Sequence, residues 1–435
     1  MTLPHVVVNA DGTLQSRADA NRRTAPVHHL RLPGFVNAHS HAFQRALRGR
    51  VELRSTAHPA DDFWGWREAM YADANAVSVD DVKTLATWAY LDMVRAGVVA
   101  VGEFHYLHHD AGGRPYDDPL ALSRAVVDAA AAVGLHITLL ETAYARAGAG
   151  RPATPGQRRF TFANVEAYLA HVDVARSLRG PLCSVGLAIH SVRACPRDWI
   201  EAVAAFAVDH ALPLHVHACE QSREVEECRA EHGMTPVALL QACGALTART
   251  TLVHATHLTN DDVTLIAQSK ATVCLTPSTE RNLGDGLCRT GDLHAAGVPL
   301  CVGSDSHARI DLVDELRSLE DHERLRTQKR CVLTRPGQRL AEVLVPAGTT
   351  NGARALGIEL GSSSVSVAMP LEGHGGGDAV GLDAFFVGGS SDDVEAVTNI
   401  AGDSIFDDVD LARLERNIRI ETAAASVLWR LQGRT

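Results

Sequence analysis

Short apolar, β-rich runs recur through the middle of the chain, each ending in polar or charged residues and each followed by an amphipathic segment. The runs fall at Leu32–Ala38, Val98–Phe104, His136–Thr142, Val185–His190, Pro213–Ala218, Thr251–His254, Thr272–Pro277 and Leu300–Ser304. Between them, helical spacing of apolar positions marks Ser78–Arg95, Leu120–Val133, Glu166–Leu178, Pro196–Ala211 and Asp261–Ser269. Ser78 followed by Asp80 and Asp81 reads as a helix start, because a hydroxyl and carboxylates satisfy free N–H groups there, and Gly97 reads as the stop. Eight strand–helix alternations predict an α/β fold with a parallel sheet, and eight strands close a barrel of the (β/α)8 type.

The two ends break this rhythm. Residues 1–30 are loosely patterned, and the chain from about residue 360 onward is rich in Gly, Ser, Val and Asp. The stretch 367–389, VAMPLEGHGGGDAVGLDAFFVGG, reads as loops and short strands. The expected division is a barrel over 31–357, with 1–30 and 358–435 joining in a small β-rich domain that ends in a helix. The 435 residues exceed the ~250 of a plain barrel and leave room for such a domain.

Composition narrows the partners. Net charge is −11 with no basic run, which argues against nucleic acid and anionic membranes. The start, MTLPHVVVNADG, has neither the charged nor the apolar region of a secretory signal, and no apolar stretch is long enough for a membrane span, so a cytoplasmic location is expected. A homodimer is left open. Nine cysteines, an odd number with no C-x-x-C pair, read mostly as small buried hydrophobes in a reducing compartment.

Candidate chemistry gathers at the strand ends. The first run ends in Asn37-Ala38-His39-Ser40-His41. Side chains on a strand alternate, so His39 and His41 face one way and form half of a zinc site; alone, the pair reads equally as two polar loop residues. The fifth run ends in His215-Val216-His217-Ala218-Cys219-Glu220, the sixth at His254, and the eighth in Gly303-Ser304-Asp305-Ser306-His307. Barrel enzymes build their sites at the C-terminal ends of strands, and chance does not readily place ligand-type residues at four of them.

The positions of His39-x-His41, His217, His254 and Asp305 resemble the metal-site pattern of the amidohydrolase superfamily, and His215-x-His217-x-x-Glu220 resembles its deaminase branch. The branch with two metals bridges them through a lysine at the end of the fourth strand. Here Ala188-Ile189-His190 stands there with no lysine near, which implies a single metal. A narrower resemblance is to the formimidoylglutamate deiminase family, the iminohydrolases of histidine breakdown. It is carried by Asn37–Ala46 (NAHSHAFQRA), Phe63–Glu68 (FWGWRE), Thr279–Gly286 (TERNLGDG) and Ser304–His307 (SDSH), in segments from about residue 33 to 357.

What this resemblance implies is a hydrolase acting on the C–N bond of a linear amidine. His39, His41, His217 and Asp305 would hold one divalent metal, expected to be zinc, which lowers the pKa of a bound water toward ~7. Asp305 would also take the water proton, Glu220 would carry a proton to the departing nitrogen, and His254 would hydrogen-bond the attacking water or the tetrahedral centre. The rival reading of Glu220 is a solvated helix-start carboxylate, and that of Asp305 an N-cap. The implied substrate, N-formimidoyl-L-glutamate, is a small dianion. Gln44, Arg67, Tyr106, His190 and Arg193 match positions the family uses to bind it. Arg67 is expected in a long loop after the first strand, as a lid, and Arg193 at the barrel mouth; surface salt bridges are the rival reading for both.

Other histidines are expected elsewhere: His105, His108 and His109 as ordinary residues, His215 one pleat deeper than His217, and His257 and His307 as residues that orient ligands. Two further functions stay open, a guanine-type aminohydrolase and a barrel that binds a ligand without turnover. Paired arginines favour a carboxylate substrate over a purine, and Glu220 beside a ligand set argues against mere binding.

Overall fold

The structure is a computed structural model. It describes residues 27–52, 63–370, 377–407 and 411–432, together with the short strands Val6–Val8 and Leu14–Ser16. Eight parallel strands form one sheet in chain order: β1 (Phe35–Ser40), β2 (Val98–His105), β3 (His136–Ala143), β4 (Cys183–Ser191), β5 (Leu214–Ala218), β6 (Thr250–His254), β7 (Thr272–Leu275) and β8 (Leu300–Val302). A parallel bridge between Ser40 and Asp305 joins the last strand's end to the first and closes the barrel.

The connections carry helices α1 (Phe63–Ala76), α2 (Val79–Arg95), α3 (Ala121–Val133), α4 (Val165–Ala175), α5 (Arg197–Asp209), α6 (Ser222–His232), α7 (Pro236–Ala242), α8 (Asn260–Ser269), α9 (Pro277–Leu283), α10 (Thr290–Ala295) and α11 (Leu312–Thr327). The start of α2 is the one its sequence signals: Asp81 N–H donates to Ser78 Oγ at 3.2 Å, and Ser78 N–H donates to Asp81 Oδ2 at 3.0 Å. Its face of Val82, Leu85, Ala86, Ala89 and Met93 is buried. Where β6, β7, β8 and β1 meet, Ala38, Val253, Cys274 and Cys301 pack with Ala355 as a separate cluster of small side chains. All nine cysteines are unpaired, and every one except Cys331 is buried. Among the described residues, no helix is long and apolar enough to cross a membrane.

Two details differ from the sequence reading, while the β-rich unit expected from both ends is present as an antiparallel sheet. Leu32 belongs to another strand, and β1 begins at Phe35. Pro33 has no N–H to donate to a ladder, and a Cβ on Gly34 would lie 2.4 Å from Val99 Cγ1, so the chain breaks between the two sheets there. The strand Val27–Leu32 pairs instead with Ser364–Pro370, which pairs with Val394–Thr398 and then Ser404–Asp407 in an antiparallel sheet drawn from both sides of the barrel. Finally, Gly377–Gly388 is a helix rather than loops and strands. Its glycines suggest a loop, yet burying Phe385 and Phe386 rewards helical packing. Residues 371–376 of that stretch lie outside the described residues.

Gly303 is the tightest point of closure. A Cβ there would sit 2.7 Å from both His39 Cβ and His39 O, with backbone rather than a flexible side chain in the way. Gly303→Ala is expected to cost at least ~1–3 kcal/mol in urea unfolding and to lower metal content. Gly180→Ala, whose added Cβ meets nothing within 4 Å, should be near neutral. Equal stability of the two variants would show that the seam is not rigid.

Candidate active site

The ligand candidates assemble on the β8–β1 seam. Alternation along β1 puts His39 and His41 on one side, with ring centroids 4.7 Å apart. Ser40 between them turns away and donates to Glu103 Oε2 at 2.6 Å. The backbone then fixes Asp305: His41 N–H donates to Asp305 O at 3.1 Å, and Asp305 N–H donates to His39 O at 3.0 Å. Asp305 Oδ1 is thereby held 3.4 Å from His39 Nε2 and 3.3 Å from His41 Nε2. His217 completes the group from the end of β5, its Nε2 3.1 Å from His39 Nε2 and its ring stacked on Phe104 at 4.3 Å.

These four side chains fit a divalent metal. Three imidazoles and a carboxylate are zinc-type donors, and two ligands ~2.0–2.1 Å from a tetrahedral ion stand about 3.3 Å apart; the spacings of 3.1, 3.3 and 3.4 Å match that edge. His41 Nδ1 lies 2.9 Å from Phe104 O. A carbonyl only accepts, so Nδ1 carries the hydrogen and Nε2 presents a lone pair to the site. Burial, reinforced by neighbouring imidazoles and opposed by Asp305, holds His39 down at about 3. Burial likewise lowers His41 and pushes His217 well below the usual imidazole value. Burial works against the Asp305 charge, but His39, His254 and His41 outweigh it and keep the carboxylate ionised.

Beside the ligands stands a second layer of acid–base groups. His254 leaves β6 with φ +70° and Asp305 follows β8 with φ +46°, left-handed positions that non-glycine residues keep only where surrounding structure holds them. His254 Nε2 is 3.8 Å from Glu220 Oε1 and 3.9 Å from Asp305 Oδ2, while its Nδ1 is 3.1 Å from Thr276 Oγ1 and 3.6 Å from Glu280 Oε1. Burial disfavours its charge, but Glu220, Glu280 and Asp305 together raise it to about 10. Glu220 is raised as well, by burial first and by Asp305 and Glu280, against the pull of His254 and Arg193. A buried carboxyl displaced in this direction suits proton transfer near neutral pH.

The rival readings of these carboxylates are filled by neighbours. Glu224 Oε2 accepts the Glu220 N–H at 3.1 Å at the start of α6, and Asp311 caps α11 by accepting from Asp314 N–H. Glu220 and Asp305 are left facing the pocket.

Gln44, Arg67, Tyr106, His190 and Arg193 line the same pocket as His41, His217, Glu220, His254 and Asp305. Gln44 Nε2 donates to Tyr106 OH at 2.7 Å. Burial, then the Arg193 charge, drives His190 well below its ordinary value. Arg193 is buried rather than at the surface, with Nη2 3.3 Å from Glu220 Oε2 and Nε 3.9 Å from Glu224 Oε2. Arg67 stands on α1, not in a loop, its guanidinium over the rings of Trp64 at 4.6 Å and Tyr71 at 5.4 Å.

Several partners escaped the sequence reading. Glu280 and Asp285 lie in the Thr279–Gly286 stretch, where the motif drew notice but no role was assigned. Burial, with Glu220 adding, pushes Asp285 up to about 9. Gln221 Nε2 donates to its Oδ1. Among the set-aside histidines, His215 Nε2 donates to Ala355 O at 2.9 Å and His257 Nε2 to Asp285 O at 2.9 Å. His307 bridges the seam, 3.1 Å from Ser40 Oγ and 3.0 Å from Ser304 Oγ. At the end of β4 stand His190 and Ser191, with no lysine.

Comparison with known proteins agrees with this geometry. The sequence model of the amidohydrolase family matches residues 30–365. A formimidoylglutamate deiminase from Pseudomonas aeruginosa is 43% identical over 82% of this chain and 79% of that protein. A 5-methylthioadenosine/S-adenosylhomocysteine deaminase from Moorella thermoacetica is 28% identical over 75% of this chain and 68% of its own length. Among solved structures, an amidohydrolase from Brucella melitensis is 33% identical, covers 92% of this chain and 90% of its own, and superposes with a TM-score of 0.85.

Because burial keeps the three imidazoles neutral, protons should compete weakly for the metal. With folded values below the ~6.5 of a free imidazole, each ring stays unprotonated until the pH falls to its folded value. Metal affinity, measured against a chromophoric chelator, is expected to change less than ~10-fold from about pH 7.5 to about pH 6. A steep loss, as three free imidazoles would show, would contradict the assigned burial effect.

Proposed function

Because this chain belongs to the amidohydrolase family, we propose that it hydrolyses N-formimidoyl-L-glutamate to N-formyl-L-glutamate and ammonia, a step of histidine degradation, with one zinc ion and in the cytoplasm. The observation that carries this reading is the pair of guanidinium groups, Arg67 and Arg193, lining the pocket of a three-histidine, one-aspartate centre. Two desolvated carboxylates require paired cations, and a purine does not. The identity with the Pseudomonas aeruginosa enzyme supports the same substrate. We take 31–357 as the catalytic unit and 1–30 with 358–435 as its accessory part.

A zinc ion held by His39, His41, His217 and Asp305 would supply a Lewis acid able to bring a water's pKa toward ~7. The chain's own groups do the rest. Asp305 divides its oxygens, Oδ1 toward the rings of His39 and His41 and Oδ2 toward His254, so Oδ2 is the one placed to accept the proton of the attacking water. His254, charged and fixed by Glu280 and Thr276, donates from Nε2 to oxygen as negative charge develops there. Glu220 delivers a proton to the nitrogen that leaves as ammonia. Arg193 and Arg67 hold the substrate carboxylates, with Gln44, Tyr106 and His190 shaping the wall between them and the centre.

Ammonia release from a panel of formimidoyl amino acids and aminated purines tests the substrate. Turnover should be greatest with N-formimidoyl-L-glutamate, and preference for a purine would replace this reading with a guanine-type aminohydrolase. Glu220→Gln should keep metal and substrate but lose ~10²–10⁴-fold in kcat; loss of the metal instead would make Glu220 a ligand.

Arg193→Met carries a sharper test, because its guanidinium faces both the pocket and Glu220. For N-formimidoyl-L-glutamate, kcat/KM should fall at least ~10-fold, since a charge-assisted bond contributes ~1.5–3 kcal/mol. An analogue lacking one carboxylate should lose only the part that passes through Glu220. Equal losses for both substrates would remove Arg193 from carboxylate recognition.

A further inference from the structure

The loop after β2, which supplies Tyr106 to the pocket wall, continues into His108 and His109. These side chains point away from the pocket, into the layer between strands and helices. There His108 meets Glu141 of β3 and His171 of α4. Glu141 Oε2 lies 3.4 Å from His108 Nδ1 and 3.3 Å from His171 Nε2, and the three facing atoms all lie within 4.8 Å of one another. None of the three facing atoms has a hydrogen-bond partner outside the triad, although His108 is 2%, Glu141 0% and His171 9% exposed.

The surroundings set where the protons sit: burial opposes a charge on His171, but Glu141 outweighs it and raises that ring, while His108 stays neutral. His108 Nε2 lies 3.0 Å from Thr142 O, so that nitrogen carries the hydrogen and Nδ1 turns a bare lone pair toward the carboxylate. Burial pushes His108 well below the ordinary imidazole value, against the pull of Glu141, which keeps the ring neutral. Glu141 Oε1 is satisfied by Ser123 Oγ of α3 at 2.6 Å, which leaves Oε2 alone against the two rings. Burial opposes the Glu141 charge, yet His171, His108 and His105 hold it down at about 2, so it is ionised. Two imidazole nitrogens converging on an anionic oxygen at 3.3 and 3.4 Å repeat what His39, His41 and Asp305 do in the pocket. A carbonyl that fixes the ligand tautomer, as Thr142 O does here, repeats the role of Phe104 O on His41.

We propose that His108, Glu141 and His171 form a second divalent-metal site outside the substrate pocket, pinning the loop after β2 to α4. Two imidazoles and a carboxylate select a late first-row ion such as zinc. His105, whose Nε2 also lacks a partner and whose ring stands 5.9 Å from that of His108, offers a fourth donor. Coordination displaces the proton that His171 otherwise shares with Glu141, so binding weakens as the pH falls. The role is structural: the ion staples the segment carrying Tyr106 and takes no part in turnover.

Zinc titration of the holoenzyme, with metal counted after gel filtration, should reach two equivalents per chain, and kcat should follow only the first. His171→Gln and Glu141→Gln should each reduce the count to one, retain kcat, and abolish the rise in Tm that added zinc gives the parent. Crystals of the parent soaked in zinc should show an anomalous peak between the three side chains, a readout independent of whether the variants fold. One equivalent at saturating zinc, two equivalents retained in both variants, or no peak at that position would each overturn the proposal and leave a proton-linked triad.

Discussion

Barrel closure and metal-site assembly are one event here. Among the described residues, the backbone exchange that joins β1 to the end of β8 runs through His39, His41 and Asp305, and those residues are three of the four ligand candidates. On either side the seam is buttoned by side chains: Asn37 Nδ2 donates to Ser304 Oγ at 2.6 Å, Ser304 N–H donates to Asn37 Oδ1 at 3.0 Å, and Arg45 Nη1 donates to His307 O at 2.8 Å. The stretches NAHSHAFQRA and SDSH are thus the two edges of one joint. A slip of one residue between them would turn His39 away and carry Asp305 off the rings, so register selection and ligand geometry cannot be separated.

The joint also fixes the electrostatics of the pocket. Neutral imidazoles crowd one side, and the carboxylates Glu220, Glu280, Asp285 and Asp305 surround His254 on the other. Burying this many acids is costly unless cations or protons compensate. The structure uses both: His254 carries charge beyond its usual range, Arg193 is held charged by Glu224 and Glu220 despite burial, and Asp285 rises until it keeps its proton. The group proposed to exchange protons, Glu220, is one whose neighbours disagree: burial and Asp305 pull it up, His254 and Arg193 pull it down.

The barrel and the shared face of its candidate ligands were legible because they follow periodic rules. Strand alternation predicts the shared face of His39 and His41, and eight strand–helix units predict the closure that brings Asp305 to them. The capping signal at Ser78 needed only local chemistry. What escaped depended on contacts between distant segments. Nothing near Glu280 announces that it meets His254 Nδ1, and nothing near Asp285 announces that it lies against Glu220. Gly377–Gly388 misled for the opposite reason: its local composition signals a loop, while burial of Phe385 and Phe386 decides for a helix. His108 was set aside because neighbouring histidines in a sequence say little; its partners sit on β3 and α4, far along the chain.

Arg193 shows where recognition and chemistry meet. Its guanidinium lowers the proton affinity of Glu220, 3.3 Å away, by favouring the carboxylate. An anion that draws on the same guanidinium weakens that influence, because the positive charge is then shared between two acceptors. Burial and the charge of Asp305, which both favour the protonated acid, then gain on Glu220. Its proton affinity would therefore rise on binding a carboxylate, which in the proposed reaction is the stage where a proton must be held ready for the departing nitrogen. A neutral substrate would leave the guanidinium wholly to Glu220 and keep that residue further toward its charged form. On the proposed reading, discrimination between substrates need not rest on binding strength alone: an arginine that bound a carboxylate would also set the protonation of Glu220 beside it.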